Sequence, residues 1–250
     1  LELPYSRALV DASIRCAGGS ILAAKLAISE CAGIHIGGGF HHAFRDHGEG
    51  FCVLNDIAIA IKALLKKSLI KKALVIDCDL HQGNGTARIF RDDKDVFTFS
   101  IHQENNYPFY KEKSSLDIGL AYGADDSAYI GALKKAVPDI IDKFKPDFIM
   151  YVAGADIYQF DRLGGLDITM DGIKLRDEFI FNEAKKRKIP VAVVLAGGYA
   201  EDVADTVKIH FNTIKLGMKI LCSPSHPPQI AGGQANPLPK GAGEKSGNDR

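Results

Sequence analysis

The stretch "KALVIDCDLHQGNG", residues 72–85, decides the fold of this chain. It opens with an almost continuous run of apolar and β-branched residues, which is typical of a parallel strand covered on both faces. The run ends in Asp77, Asp79 and His81, spaced by two. Side chains at this spacing point to the same side of a strand, so we expect two carboxylates and an imidazole on one wall. The packing of an apolar strand does not require such an ending, which therefore indicates a functional site.

Further apolar runs predict strands, and they alternate with segments of helical periodicity. The predicted strands cover residues 33–37, 72–80, 95–102, 147–156 and 190–199. The predicted helices cover residues 56–67, 126–144, 171–187 and 201–221, and Asn55 is a candidate N-cap for the first of them. Strands that alternate with helices predict a single α/β domain with a parallel sheet.

The composition limits the classes of function. Among 250 residues, 31 basic side chains balance 31 acidic ones, so nothing indicates a nucleic-acid or anionic-membrane partner. The apolar runs are too short to span a bilayer. The five cysteines are an odd number without a CxxC pair, which favours reduced thiols in a cytoplasmic protein, or a nuclear one in a eukaryote.

The C-terminal end of the chain differs in composition from the rest. Residues 223–250 are rich in Gly and Pro and contain few apolar side chains. Such a segment cannot bury enough apolar surface to fold. We therefore assign residues 1–222 to one domain and expect residues 223–250 to be a disordered tail.

Polar residues also follow the other predicted strands. Asp156 follows "MYVAGA", Tyr199 follows a glycine pair in "VLAGGY", and His41 and His42 follow three glycines in "IHIGGGFHH". In an open parallel sheet, ligands bind outside the carboxyl ends of the strands. We therefore expect these side chains to meet Asp79 and His81 at one edge of the sheet.

This combination predicts metal-dependent hydrolysis. Asp79, His81 and Asp156 would form a three-ligand site with an open position for water, suited to Zn²⁺ or to Fe²⁺. Such an ion lowers the pKa of bound water and polarises a carbonyl group. Two adjacent histidines would serve as general base and acid, and a tyrosine hydroxyl would stabilise an oxyanion. These parts together make an amide hydrolase.

Each part has a simpler interpretation when it is taken alone. An Asp-x-Asp pair at a strand end also binds Mg²⁺ or caps a helix, and both Asp156 and the GGY segment also suit ordinary turns. A phosphate loop is excluded for residues 37–39, because the GxxxxGK[ST] spacing is missing. The histidines that we regard as surface or core residues are His35, His47, His102, His210 and His226.

The motifs "GGGFHHA", "GFCVLNDIAIAI", "VIDCDLHQGNGT", "AGADIYQFDRLGGLDIT" and "LAGGY", in this order, resemble the histone deacetylase family over roughly residues 8–220. "DLHQGNG" and "FDRLGGL" are most similar to the class IV branch and its bacterial relatives. The resemblance implies the arginase/deacetylase fold, a three-layer α/β/α domain with a mainly parallel sheet. It also implies a zinc-dependent protein lysine deacetylase or deacylase that acts on N-acyl-lysine through a metal-activated water.

Two other functions remain open. One is an amidohydrolase acting on acetylpolyamines or other small acylated amines with the same chemistry. The other, from a different class, is a non-catalytic protein that binds acyl-lysine. The oligomeric state is not indicated by the sequence.

The resemblance also implies roles for individual residues. The zinc ligands would be Asp79, His81 and Asp156, with His41, His42 and Tyr199 as catalytic residues and His42 as the proton carrier. Behind the histidines, Asp77 would hold His41 and Asn84 would hold His42. The walls of a substrate tunnel would be formed by Gly50, Phe51, Leu163, Gly197 and Gly198, with either Tyr107 or Phe109 at its mouth. A structural K⁺ or Na⁺ would be bound by Asp77, Asp79, His81 and Ser100.

The chain departs from the family pattern at its beginning. Family members carry an N-terminal strand segment and an acidic residue at the tunnel rim. We expect the domain to lack this strand segment, and we assign no rim acid.

The residue behind His42 generates the first testable prediction. Many family members have Asp where this chain has Asn84. A neutral amide stabilises an imidazolium less than a carboxylate does, so we expect a lower pKa for His42 than beside Asp. Asn84→Asp should raise this pKa and move the acidic limb of the pH–rate profile to higher pH. An unchanged profile would contradict the assignment.

Overall fold

A computed structural model describes residues 2–222, and its centre is a six-stranded sheet in which every strand pair is parallel. The strands are β1 (Ala32–His35), β2 (Ala73–Asp77), β3 (Val96–Gln103), β4 (Leu116–Leu120), β5 (Phe148–Val152) and β6 (Val191–Val194). Their spatial order is β1-β6-β5-β2-β3-β4. The predicted tail, residues 223–250, and His226 lie outside the described residues.

Helices cover both faces of the sheet. They are α1 (Arg7–Glu30), α2 (Asp56–Lys66), α3 (Asn84–Phe90), α4 (Asp126–Phe144), α5 (Met170–Arg187) and α6 (Val203–Leu221). One apolar cluster joins α1, α2 and α3 to the sheet, and a second joins α4, α5 and α6 to its other face. The predicted three-layer α/β/α architecture with a parallel sheet is confirmed. Within residues 2–222, no helix has both the length and the apolar character needed to cross a membrane.

Strand β2 shows why the apolar runs of the sequence are almost continuous. Leu74 and Ile76 belong to the cluster beneath α4–α6, whereas Val75, between them, belongs to the cluster beneath α1–α3. All five residues of the strand are buried. A strand with helices on both sides has no solvent-facing positions, so the alternation of polar and apolar residues is lost.

The direction of the chain through the sheet reverses between β2 and β5. From β2 the chain passes through α3 to β3, and from β5 it passes through α5 to β6 on the opposite side and opposite face. Loops that diverge at such a switch point leave a crevice at the carboxyl edge of the sheet. Asp79 and His81 follow β2 and Asp156 follows β5, so this topology places all three beside the crevice.

Four predicted strands extend too far along the chain: β1 ends at His35 and β6 at Val194, against predicted ends at residues 37 and 199. Strand β2 ends at Asp77 and β5 ends at Val152. Beyond them, the Leu80 N–H donates to a side-chain oxygen of Asp156 at 2.9 Å instead of to a strand carbonyl. The expectation of one continuous strand wall for Asp77, Asp79 and His81 is therefore wrong, because Asp79 and His81 lie in a loop.

Three elements were not predicted: α1, α3 and β4. The buried face of α1 consists of Ser and Ala side chains, which give little apolar periodicity. Helix α3 has seven residues, and β4 is a half-exposed edge strand. By contrast, the predicted cap of α2 is confirmed, since the Asn55 side chain accepts from the Ala58 N–H at 2.9 Å.

A buried ion pair on α5 supports the carboxyl ends of β2 and β5. Arg176 is fully buried, and its Nε donates to Asp177 at 2.9 Å. Its Nη1 donates to the carbonyls of Gly154 and Cys78, at 2.6 and 3.3 Å. Asp177 also accepts from the Tyr151 hydroxyl at 2.5 Å. The pair therefore satisfies two carbonyls directly beneath the crevice.

We predict that Arg176→Met lowers the free energy of unfolding by about 3–5 kcal/mol, because it leaves Asp177 as an uncompensated buried charge. Urea unfolding followed by circular dichroism measures the change. Lys143→Met on α4 is the control, since Lys143 is exposed and pairs with the exposed carboxylate of Asp139. It should cost about 0–1 kcal/mol. Equal losses in the two variants would contradict the assignment.

Candidate active site and metal centre

Three potential metal ligands converge at the crevice. Asp79, His81 and Asp156 each offer one ligand atom, and these atoms lie within 4.8 Å of one another. Two glycines make room for the carboxylates: a Cβ on Gly197 would lie 2.5 Å from Asp156 Oδ2, and one on Gly154 would lie 2.7 Å from Asp156 Oδ1. The site thus requires glycine on both neighbouring loops.

The electrostatics of these three residues favour a cation. Burial, together with the neighbouring charge of Asp79, raises the pKa of Asp156 to about 7. His81 Nδ1 lies 3.2 Å from Asp79 Oδ1 and 3.2 Å from Asp156 Oδ2. Burial alone would lower the pKa of His81, but its hydrogen bonds to the two carboxylates outweigh burial and raise it to about 10. Two crowded carboxylates and one imidazole are a donor set that fits a divalent ion.

His41 and His42 lie beside this cluster as a hydrogen-bonded pair. Their Nε2 atoms are 3.0 Å apart. On the outer sides of the pair, His41 Nδ1 lies 2.8 Å from Asp77 Oδ2, and His42 Nδ1 lies 2.7 Å from Asn84 Oδ1. The structure thus places Asp77 and Asn84 behind the two imidazoles.

The turn that carries the two histidines is held by α2. A carboxylate oxygen of the buried Asp56 accepts from the backbone N–H groups of Gly39 and Phe40, at 3.2 and 2.7 Å. Next to it, the Asn55 amide donates to the carbonyl of Ala43 at 3.0 Å. The first two residues of the α2 region therefore fix the backbone on both sides of the histidine pair.

The two histidines have opposite pKa shifts. Burial disfavours the charged form of His41, but Asp77 and Asp79 outweigh it and raise the pKa to about 9. For His42, burial and the charge of His41 lower the pKa well below its usual value. At neutral pH, His42 is thus the uncharged member, with a lone pair available for a proton.

A cavity of about 490 Å³ opens above these residues. Its walls include the predicted tunnel residues Gly50, Phe51, Leu163 and Gly197, together with Tyr199. Gly198, which was also predicted to line the tunnel, does not line this cavity. It packs against α6 instead, since a Cβ at this position would lie 2.7 Å from the Thr206 side chain. Tyr107 lines the cavity, whereas Phe109 is 87% exposed and does not.

The wall around Gly50 and Phe51 is a tight turn. Their φ angles are +53° and +63°, and Glu49 and Cys52 exchange backbone hydrogen bonds across them. Positive φ at both central positions is the geometry of a type I′ turn, which strains the non-glycine Phe51. Gly50 also passes close to His42, since a Cβ there would lie 2.6 Å from the imidazole Cδ2.

The predicted monovalent-cation residues are only partly arranged as a group. Asp77 and Ser100 are register partners on β2 and β3. The Ser100 hydroxyl pairs with His102 Nδ1 at 2.9 Å, while Asp79 and His81 belong to the metal cluster. The K⁺ or Na⁺ site of Asp77, Asp79, His81 and Ser100 stays a prediction.

The remaining described histidines lie outside the metal cluster. Burial lowers the pKa of His102 and of His210 to about 4. His35 pairs with the Ser20 hydroxyl at 2.9 Å, and His47 pairs with Asp46 at 2.9 Å.

One residue at the site was not singled out from the sequence. Glu49 accepts hydrogen bonds from Asn84 Nδ2 at 2.7 Å and from the Tyr107 hydroxyl at 2.9 Å. Glu49 is the first residue of the turn at Gly50 and Phe51, which places its side chain beside Asn84. A turn of this kind has no hydrophobic periodicity that would mark it in the sequence. The only sequence signal is the adjacent "GF" of the tunnel motif.

Several known proteins are similar to this chain in sequence. An uncharacterized protein of Picosynechococcus sp. (strain PCC 7002) is 42% identical over 210 residues, covering 84% of this chain and 70% of that protein. Histone deacetylase 2 of Arabidopsis thaliana is 37% identical over 76% of this chain, and the acetoin utilization protein AcuC of Staphylococcus aureus (strain MRSA252) is 36% identical over 62%. The chain spans 51% and 43% of the lengths of these last two proteins.

The fold has a similar counterpart among solved structures. The crystal structure of the HDA15 HD domain superposes with a TM-score of 0.72 at 27% sequence identity, covering 86% of this chain and 64% of that one. The family model of the histone deacetylase domain matches residues 1–214. Because this match spans most of the 250 residues and agrees with the fold, the chain belongs to the histone deacetylase family.

Proposed function

We propose that this chain is a metal-dependent amidohydrolase that removes the acyl group from N-acyl-lysine. The observation that carries the proposal is the position of the ligand cluster. Asp79, His81 and Asp156 line the same cavity as His42 and Tyr199. A structural metal site has no need of an open cavity or of an uncharged imidazole beside it. Membership of the histone deacetylase family supports the same reaction.

We propose Zn²⁺ as the ion, with Fe²⁺ as its competitor. Two carboxylates and one imidazole are harder ligands than three imidazoles, which is why iron competes at such a site. When bound, the ion would supply the positive charge that acidifies water and polarises the substrate carbonyl. Asp79, His81 and Asp156 would hold it.

The proton transfers are assigned to His42. Its pKa is lowered well below the usual value, so Nε2 carries a lone pair; this lone pair accepts from His41 at 3.0 Å and would exchange that contact for the proton of the attacking water. The same nitrogen then returns a proton to the amine that leaves. His41, whose pKa is raised to about 9, stays charged and paired with Asp77 during both steps.

Tyr199 is assigned to the oxyanion. Its N–H donates to Asp161 Oδ2 at 2.6 Å, which fixes the backbone of the loop after β6. The side chain lines the cavity and is 53% exposed. Its hydroxyl would donate a hydrogen bond where charge develops on the carbonyl oxygen.

The substrate assignment depends on the shape of the wall. Phe51, Leu163 and Tyr107 surround the approach to the metal ligands, which suits a thin alkyl chain that carries an amide. The motif "FDRLGGL", residues 160–166, supports a relation to the class IV branch. For this reason, the acyl groups to be compared run from acetyl to myristoyl, with N-acetylputrescine as the small-amine alternative.

The metal site generates a prediction about binding. Asp156→Ala removes one of the three ligands and should abolish stoichiometric metal in the purified chain. Metal analysis after loading with Zn²⁺ or Fe²⁺ measures the complement. Asp139→Ala is the matched control, because this carboxylate on α4 is exposed and pairs with Lys143. A full metal complement in Asp156→Ala would contradict the site.

The catalytic assignment generates a prediction about turnover. The metal-loaded chain should hydrolyse acyl-lysine peptides, and His42→Ala should lower kcat by about 10²–10⁴-fold through loss of the general base. Release of the free carboxylate measures the rate, and metal content should stay unchanged. Undiminished hydrolysis by His42→Ala would refute the proton assignment, and preference for N-acetylputrescine would favour a small-amine substrate.

A further inference from the structure

Glu49 lies behind the residue that contacts His42. One of its carboxylate oxygens, Oε1, accepts from Asn84 Nδ2 at 2.7 Å and from the Tyr107 hydroxyl at 2.9 Å. The other, Oε2, lies 3.5 Å from His47 Nε2. The side chain is 29% exposed, so it is sheltered but not fully buried. It thus belongs to a chain of contacts that runs from Tyr107 through Asn84 to His42.

The contact with Glu49 determines which way the Asn84 amide faces. An ionised carboxylate only accepts hydrogen bonds, so the NH₂ group of Asn84 must face Glu49. The amide oxygen then faces His42 Nδ1, at 2.7 Å. Because that oxygen can only accept, Nδ1 must carry the proton of the neutral imidazole. The proton-free nitrogen is Nε2, on the side of His41.

The backbone of Glu49 is fixed by the turn that forms the cavity wall. Its N–H donates to the Cys52 carbonyl at 3.0 Å, and the Cys52 N–H donates back at 2.8 Å. Gly50, the next residue, packs under the His42 ring. Tyr107, the other partner of Glu49, meets the same ring edge-to-face with centroids 4.9 Å apart. Glu49 therefore joins two of the surfaces that enclose His42.

We propose that Glu49 is a positioning residue that acts through Asn84 to hold His42 in the Nδ1–H tautomer. The expected effect on kcat rests on the proposed hydrolysis, whereas the expected His42 tautomer does not. In this chain the carboxylate nearest to His42 on that side belongs to Glu49, and the amide of Asn84 lies between the two.

The physical reason is the near symmetry of an amide side chain. Without an acceptor on its outer side, Asn84 can rotate its amide and present NH₂ to His42 Nδ1. His42 would then carry its proton on Nε2, which is the nitrogen that must accept one, and would lose the present contact of that nitrogen with His41 Nε2. A molecule with this His42 tautomer has no proton acceptor at Nε2, although its fold is unchanged.

The test exchanges the two functional groups between positions 49 and 84. Asn84→Asp alone places a second carboxylate against Glu49, and the repulsion between the two charges should shift residue 84 relative to His42 and lower kcat about 10–100-fold, the range typical of such supporting contacts. Glu49→Gln alone should have a small effect, since its amide oxygen still accepts from Asn84. In the double variant Asn84→Asp/Glu49→Gln, the amide at position 49 can donate to the carboxylate at position 84, which accepts from His42 Nδ1. The value of kcat should therefore recover about 10-fold or more over Asn84→Asp alone.

Glu49→Leu removes the acceptor altogether and should lower kcat about 10–100-fold with an unchanged KM and Zn²⁺ content. Glu112→Leu is the matched control, because this glutamate is similarly sheltered, at 23% exposed, and pairs with Arg91 away from the cavity. It should leave kcat unchanged. Thermal unfolding of every variant tests whether the fold is retained.

The tautomer itself gives a readout that does not require turnover. In the Zn²⁺-loaded chain labelled with ¹⁵N-histidine, the His42 signals, assigned by their loss in His42→Ala, should show the Nδ1–H form. Glu49→Leu should shift them toward a mixture of tautomers, and Glu112→Leu should not.

The two proposals fail in different ways. A wild-type chain that hydrolyses no acyl-lysine peptide refutes the proposed function, while the His42 tautomer still decides the role of Glu49. If the wild type is active and Asn84→Asp has the same kcat with and without Glu49→Gln, the inference is overturned. An unchanged tautomer in Glu49→Leu overturns it as well.

Discussion

The crowding of two buried carboxylates is the constraint on which the rest of this structure depends. Asp79 and Asp156 are almost fully buried, and both contact His81. Charges in such an interior are costly unless they are paired and hydrogen-bonded. The surrounding backbone supplies part of this compensation, since the N–H groups of Leu80 and Gly197 donate to the two side chains at 2.9 and 3.1 Å. A loop can aim its N–H groups in this way, but a paired strand cannot.

This requirement explains where prediction from the sequence succeeded and where it failed. Apolar runs identified five strands because both faces of the sheet are covered, and side-chain caps helped to identify helices such as α2. The same runs gave wrong strand ends, because apolar residues such as Ala153 and Ala155 stay buried after β5 has ended. Helix α1 was missed since its buried face consists of Ser and Ala side chains, which give little apolar periodicity.

For the site, residue chemistry was more informative than periodicity. Histidines and aspartates at the ends of apolar runs have few structural explanations, and this identified the groups that converge at the crevice. Glu49 has an ordinary explanation, because glutamate near a turn is usually solvated. Its importance depends on a hydrogen bond to Asn84, which is 35 residues away in the chain. Only the folded structure brings the two together.

The surroundings of the two histidines finally explain why they differ. His41 contacts a carboxylate directly and lies 3.7 Å from Asp79, so two negative charges stabilise its protonated form. For His42 the nearest polar partner is a neutral amide, and the carboxylate of Glu49 is one side chain further away. The interaction between two charges weakens with distance. The orienting effect of Glu49 does not, because an amide that donates to Glu49 on one side must present its oxygen to His42 on the other. Glu49 can therefore orient His42 without favouring its charged form as strongly as direct contact would. A base needs both properties: a fixed direction for its lone pair, and a charge that it does not acquire before the substrate arrives.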